Sequence, residues 1–181
     1  MYKGMNKDKG NAKQRNKTYT IAICGVLTAL AMIFGYIESL IPIPLPVPGI
    51  KLGVANIAII TVMYAVGVKE ALVINSIRIT LTAILFGNLN SFIFSMAGGM
   101  LSILVMIILM KTKQFSMTGV SVAGGVAHNI GQIIAAIFVM GSSAIVYYLP
   151  VLMISGIVTG VIVGIVAALV IKHVKTGISE K

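Results

Sequence analysis

Apolar segments of membrane-spanning length alternate with short polar connections along most of the chain. They cover residues 19–40, 52–67, 70–87, 91–110, 117–140 and 147–171, and each is bounded by Gly, Pro, Asn or Lys. A helix of about 20 residues, rising about 1.5 Å per residue, crosses a hydrocarbon layer of about 30 Å. The pattern therefore predicts an all-α fold, a polytopic membrane bundle of about six transmembrane helices, with a short second and third helix.

The composition supports a membrane protein. Hydrophobic residues make up 58% of the 181 residues and charged residues 10%, and the mean hydropathy is +1.04. Soluble domains carry about 25% charged residues. We predict one transmembrane domain at 19–172, between a basic cytoplasmic tail at 1–18 and a short cytoplasmic tail at 173–181.

Basic residues fall on one side of the predicted bundle. With six spans, the N-terminal tail, Lys69, the connection holding Lys111 and Lys113, and the C-terminal tail all face the same side. The opposite side receives Lys51 and two polar turns. Because positively charged connections stay in the cytoplasm, we predict a multi-pass protein of the cytoplasmic membrane with both termini in the cytoplasm.

The net charge of +10 is concentrated in the N-terminal tail, where six of the 14 basic residues lie within the first 17 positions. Such a tail is typical of a disordered topology signal that is attracted to anionic lipid. The alternative is a docking arm for a partner. We therefore expect the lipid bilayer, and not nucleic acid, to attract these charges.

Residues 41–53 connect the first two predicted helices and contain four prolines that alternate with aliphatic residues. Proline removes backbone donors and favours an extended, polyproline-like path. Irregular backbone near membrane depth is tolerated where it is buried in protein or lines a cavity. The segment is therefore either a lid over the outer face of the bundle or a stiff linker between two helices.

Polar residues inside the apolar segments are the candidates for function, because a charge at the bilayer centre costs roughly 2.5–3.5 kcal/mol. Arg78 lies near the middle of the third segment, and Asn75 and Thr82 share its helical face. Glu38, near the outer end of the first segment, is a candidate partner if the long arginine side chain extends outward. Arg78 then either clamps the bundle with Glu38 or a carbonyl group, or meets the anionic part of a bound solute.

A second polar group lies in the fifth segment, in the sequence GGVAHNIGQ at 124–132. His128 and Gln132 are four residues apart on one helical face, and Asn129 lies beside them. These side chains predict either a binding site or a hydrogen-bonded structural contact. A metal site is not expected, because His173, the second histidine, lies at the cytoplasmic end of the chain.

Small residues recur every fourth position in the sixth segment, at Gly156, Gly160, Gly164 and Ala168. This spacing lets helix backbones approach closely. It predicts packing inside the bundle, and the alternative is a docking face for another membrane protein.

Motifs for catalysis are missing from the sequence. It contains no GxxxxGK[ST] loop for nucleotide phosphates, so ATP-driven work requires another subunit. Asp8, in the tail, is the single aspartate, and the membrane segments hold no paired carboxylates for magnesium or acid–base chemistry. We therefore expect neither enzyme activity nor a cofactor.

Three segments of the chain resemble one bacterial membrane family. They are IPIPLPVPGIKLGVANI at 41–57, FSMAGGMLSILVM at 94–106 and GGVAHNIGQ at 124–132. The family is labelled Gx transporter or heptaprenyl diphosphate synthase component I, and it is similar in size and topology to the substrate-binding S components of energy-coupling factor (ECF) transporters. The resemblance implies a six-helix bundle, an outward-facing solute site under the first loop, and a partner module of one transmembrane coupling subunit with two ATPases.

The resemblance also implies a docking surface on the first helix. S components carry an alanine-rich stripe there, and Ala22, Gly25 and Ala29, followed by Ala31, form a looser version of it. Polyprenyl synthases resemble one another in aspartate-rich motifs, which this chain lacks, so under the synthase label it would be a noncatalytic membrane partner. Family members further resemble proteins found with flavin-linked extracellular electron-transfer systems.

The sequence as a whole predicts a noncatalytic solute-binding subunit, similar to an S component, for a small anionic or vitamin- or cofactor-like solute. The alternative is a membrane anchor or assembly subunit for polyprenyl (heptaprenyl) diphosphate synthesis or flavin-linked electron transfer, in which the same polar groups are structural. In the first interpretation, the residues that face the solute are Glu38, Asn75, Arg78, His128, Asn129 and Gln132.

Overall fold

The computed structural model describes the backbone of residues 2–40 and 53–179. Side chains are described between positions 18 and 172, except at 19, 39 and 41–52. The proline-rich segment that we predict to be a lid therefore lies outside the described residues, apart from Gly53 at its end.

Within the described ranges the chain forms six α-helices, and the predicted all-α membrane bundle is confirmed. Four stretches are long and apolar enough to cross a membrane: Thr20–Glu38, Leu89–Thr112, Met117–Met140 and Ser143–Lys172. The helices are α1 (Tyr2–Leu40), α2 (Asn56–Ala65), α3 (Val68–Phe86), α4 (Leu89–Thr112), α5 (Met117–Met140) and α6 (Leu149–Ser179), with a 3-10 helix at Ser143–Tyr148.

The second helix, predicted to be short at 52–67, is even shorter than expected, whereas α3 is close to its predicted length. With ten residues, α2 is about 15 Å long, which is half of the hydrocarbon thickness. Helix α3 has 19 residues and carries Lys69, Glu70 and Arg78. The other difference is in the N-terminal tail, which we expected to be disordered but which is helical from Tyr2 onward. Proline is absent between this residue and the end of α1, so no residue there interrupts a helix.

Short polar residues set the boundaries of the long helices. The side chain of Asn88 accepts a hydrogen bond from the Ser91 amide at 2.8 Å and begins α4. Ser116 accepts one from the Gly119 amide at 3.1 Å and begins α5. Such caps satisfy amide groups that have no partner within the helix.

Helix α5 packs most extensively, against α4 and against α6. A Cβ atom added at Gly160 would lie 2.6 Å from Cα of Val122, and one at Gly164 would lie 2.6 Å from Cα of Thr118. These distances leave no room for a side chain, so the glycine stripe of α6 packs inside the bundle against α5, as predicted. Ala168, the last member of the predicted stripe, is exposed.

The short helix α2 lies in the centre of the molecule. All of its residues from Asn56 to Met63 are buried, and it packs against α1, α3 and α6. It has no polar face apart from Asn56 and Thr61, which fits its burial on every side. Helix α2 therefore begins inside the bundle, and its first residue lies beside the polar side chains of α3.

Candidate functional site

Arg78 lies at the centre of a buried polar cluster. Its side chain is 7% exposed, and Nη2 donates hydrogen bonds to Oδ1 of Asn75 at 2.9 Å and to Oδ1 of Asn56 at 3.2 Å. The Nε donor has no hydrogen-bond partner among the described residues. The guanidinium is thus held by two neutral amide oxygens, while its Nε–H group remains available to a ligand.

The two asparagines reach Arg78 from different helices. Asn75 precedes Arg78 by three residues in α3, so helix geometry alone brings them together. Asn56 is 22 residues away in sequence and begins α2, and it was not among the predicted site residues. The available signal was an amide in an otherwise apolar run, since a buried amide requires a hydrogen-bond partner.

Glu38 joins the cluster from α1. Its carboxylate is 4% exposed, and Oε1 accepts hydrogen bonds from the backbone amides of Gly53 and, at 3.1 Å, Val54. Arg78 and Glu38 attract each other electrostatically. Glu38 was predicted as a candidate partner of Arg78, and its observed hydrogen bonds are to the backbone where α2 begins.

The turn at Gly53 connects the two halves of the cluster. Its φ of +90° lies in the region that favours glycine. A Cβ atom here would lie 3.3 Å from Nδ2 of Asn56 and 3.6 Å from Cδ2 of His128. His128 is 3% exposed, so the imidazole of α5 lies against the start of α2, within the same cluster.

Two glycines of α4 form one wall of the cluster. A Cβ atom at Gly98 would lie 2.9 Å from Cγ of Gln132, and one at Gly99 would lie 3.0 Å from Nδ2 of Asn75. Gln132 is fully buried. The wall was not predicted, although a Gly-Gly pair in an apolar helix is a signal for close helix approach.

Asn129 lies apart from the other predicted site residues. Its Nδ2 donates a hydrogen bond to the carbonyl oxygen of Leu152 in α6 at 2.5 Å. A Cβ atom at Gly156 would lie 2.9 Å from the same nitrogen. The side chain therefore joins α5 to α6, on a different face of α5 from His128 and Gln132.

The predicted docking residues Ala22, Gly25 and Ala29 are all exposed. No atom lies within 4 Å of a Cβ added at Gly25, whereas Leu27 and Ala31 on the opposite face of α1 are buried in the core. This face of α1 is open to lipid or to another membrane protein.

The cluster combines one cation, one carboxylate, an imidazole and several amides, which together can donate and accept hydrogen bonds to a polar solute. The side chains come from α1, α2, α3 and α5 and surround the start of α2. They are Glu38, Asn56, Asn75, Arg78, His128 and Gln132.

Residues 27–170 match the model of one protein family, described as heptaprenyl diphosphate synthase component I. The matched range contains the whole polar cluster. The chain matches none of the curated proteins and none of the solved structures with which it was compared. Because the match covers most of the 181 residues, the chain belongs to the heptaprenyl diphosphate synthase component I family.

Proposed function

We propose that this protein is a noncatalytic membrane subunit that binds a small solute at Arg78, in the manner of an ECF S component. The observation that carries the proposal is the guanidinium itself, which is buried among membrane helices and keeps an Nε donor without a partner among the described residues. Burying a cation is costly unless its donors are paired. A bound solute that accepts a hydrogen bond from Nε removes this cost.

Two neighbouring groups support a ligand over a purely structural clamp. Nδ2 of Asn75 and Oγ1 of Thr82, on the same face of α3, are also buried and lack hydrogen-bond partners among the described residues. Buried polar groups in proteins are nearly always hydrogen-bonded. Three hydrogen-bonding groups without described partners lie on one helical face. A polar ligand explains them better than a contact between helices in which every such group is paired.

The residues that flank the proline-rich segment support its proposed role as a lid. It joins Leu40 to Gly53, and Glu38 at the end of α1 binds the backbone of Gly53 at the start of α2. The described residues on either side of the segment therefore belong to the cluster.

The proposed partner is a coupling subunit with two ATPases. The exposed face of α1 at Ala22, Gly25 and Ala29 would dock on that subunit, since small residues let helices approach closely. ATP hydrolysis would come from the partner module, because this sequence holds no nucleotide-binding loop.

The test compares the purified wild-type protein with Arg78→Gln. We expect denaturation of the wild-type protein to release a small molecule that mass spectrometry detects. Arg78→Gln should bind this molecule at least about tenfold more weakly, because a hydrogen bond to a charged group contributes about 1.5–3 kcal/mol. The control is Thr80→Val, since Thr80 lies on the exposed face of the same helix. Equal binding by Arg78→Gln would remove Arg78 from the site, and the absence of any bound molecule would reject the proposal.

The family description favours a second candidate function, a membrane partner of a polyprenyl diphosphate synthase. Because the chain lacks aspartate-rich motifs, its role would be to anchor or assemble the catalytic component. In that case, co-expression with a soluble synthase component would bring the synthase to the membrane fraction. Arg78→Gln would then leave this recruitment unchanged, and the purified wild-type protein would hold no solute.

A further inference from the structure

Among the described residues, the buried formal charges around the proposed site add up to zero. Glu38 and Arg78 are the buried side chains with a formal charge among the described residues, with His128 counted as a neutral imidazole. We propose that the solute of this site carries no net charge, so that it is either uncharged or zwitterionic. The inference rests on the proposed solute-binding function and narrows the class of the solute.

The carboxylate of Glu38 is a fixed part of the site. Two backbone amides, those of Gly53 and Val54, donate to Oε1, and the side chain is 4% exposed. Glu38 could leave Arg78 only by losing both hydrogen bonds and moving the start of α2. The carboxylate therefore keeps its electrostatic interaction with Arg78 when a solute binds.

A negatively charged solute would bring a second anion to one cation in a region of low dielectric. Buried charges are tolerated when they are paired, and an unpaired charge is strongly unfavourable. A cationic solute would instead place two cations beside one anion. The positive end of α2 beside Glu38 does not change the sum, because a helix dipole carries no net charge.

The hydrogen-bonding groups at the site also suit a neutral polar molecule. The Nε of Arg78 and the Nδ2 of Asn75 are donors without partners among the described residues, and both can bind carbonyl or ring nitrogen acceptors. The glycines Gly98 and Gly99 let α4 approach Gln132 and Asn75 closely. An uncharged molecule with amide-like acceptors matches these groups.

Other charges of the chain lie farther from Arg78 along the helices or fall outside the described residues. Lys69 and Glu70 precede Arg78 by at least eight residues in α3, which places them about 12 Å away along the helix. Lys51 is two residues before Gly53, outside the described residues. A lysine ammonium near the site would favour an anion, so Lys51 is tested directly.

The experiment measures thermal stabilisation of the purified full-length protein by pairs of molecules that differ in one charged group. The probes are nicotinamide and nicotinate, pantothenol and pantothenate, and riboflavin and riboflavin phosphate. We expect the wild-type protein to prefer the uncharged member of a bound pair by at least about tenfold in affinity. Any molecule that copurifies is identified by mass spectrometry, and we expect its net charge at pH 7 to be zero.

Glu38→Gln separates the charge of Glu38 from its hydrogen bonds. The glutamine carbonyl can still accept from Gly53 and Val54, so the fold is retained, but Arg78 becomes the uncompensated charge. We expect this variant to shift its preference toward the anionic member of the same pair. Lys51→Gln should leave the wild-type preference unchanged.

The outcomes separate the two proposals. A wild-type preference for the anionic members, or a copurified molecule with a net charge, would overturn the inference while solute binding at Arg78 stands. An unchanged preference in Glu38→Gln would also overturn it. If no probe stabilises the protein and no molecule copurifies, the proposed function fails, and this inference fails with it.

Discussion

At the scale of single residues, the cluster depends on how Arg78 is held. The two hydrogen bonds of Nη2 end on the amide oxygens of Asn56 and Asn75. The amide from α2 ties two helices together, whereas the amide from α3 adds no contact between helices. Loss of Asn56 should therefore weaken both the position of the guanidinium and the packing of α2 against α3.

We expect Asn56→Ala to lower the free energy of unfolding by about 1.5–3 kcal/mol, because a buried hydrogen bond to a charged group is lost. The measurement is thermal unfolding of the purified protein in detergent. Thr80→Ala is the matched control, since it removes a hydroxyl group that bonds to the Ser76 carbonyl on the exposed face of α3. Equal melting temperatures for the two variants would contradict the assigned role of Asn56.

The sequence allowed part of this cluster to be predicted. Asn75 and Arg78, like His128 and Gln132, share helical faces, and periodicity alone brings each pair together. The contacts of Asn56 with Arg78 and of Glu38 with Gly53 span 22 and 15 residues. They depend on how helices pack, which local periodicity does not specify.

At the scale of helices, glycine determines which pairs come close. A Cβ atom at Gly125 of α5 would lie 2.5 Å from the carbonyl oxygen of Gly156 in α6. We expect Gly125→Ala to lower the free energy of unfolding by about 1–3 kcal/mol, because backbone has to move to relieve the contact. Gly25→Ala is the control, since its Cβ would meet nothing within 4 Å and alanine favours a helix. Similar unfolding curves in detergent for both variants would show that α5 and α6 are not in close contact.

The apolar runs predicted the positions of the long helices well and the length of α2 poorly. Residues 52–67 are continuously apolar apart from Asn56 and Thr61, and hydropathy does not distinguish a helix from other buried backbone. The start of α2 is set by the turn at Gly53, with φ +90°, and by the carboxylate of Glu38 from another helix. Its end is set by the turn at Val66 and Gly67.

At the scale of the whole molecule, three residues of the cluster lie at the same depth. Asn56 lies ten residues before the turn at Val66, Arg78 lies ten residues after Val68, and His128 lies eleven residues after Met117. At about 1.5 Å per residue, each lies about 15–17 Å from the side where α3 and α5 begin. This distance is about half of the hydrocarbon layer, so these three residues lie near mid-depth, where an unpaired charge costs most, and Glu38 reaches them from the end of the Thr20–Glu38 span.

The predicted orientation assigns the cytoplasmic side to the beginning of α3 and α5. Cysteine labelling can test it in a Cys24→Ala background, because Lys69, Lys113 and Ser142 are exposed at turns or helix ends. We expect a membrane-impermeant maleimide to label Ser142→Cys in intact cells. It should label Lys69→Cys and Lys113→Cys only after the membrane is permeabilised. Labelling of both Lys69→Cys and Lys113→Cys, but not of Ser142→Cys, in intact cells would show the reverse orientation. If Lys69→Cys and Ser142→Cys were both labelled, the turn between α2 and α3 would not reach the cytoplasmic side, and the depth assigned to Arg78 would be wrong.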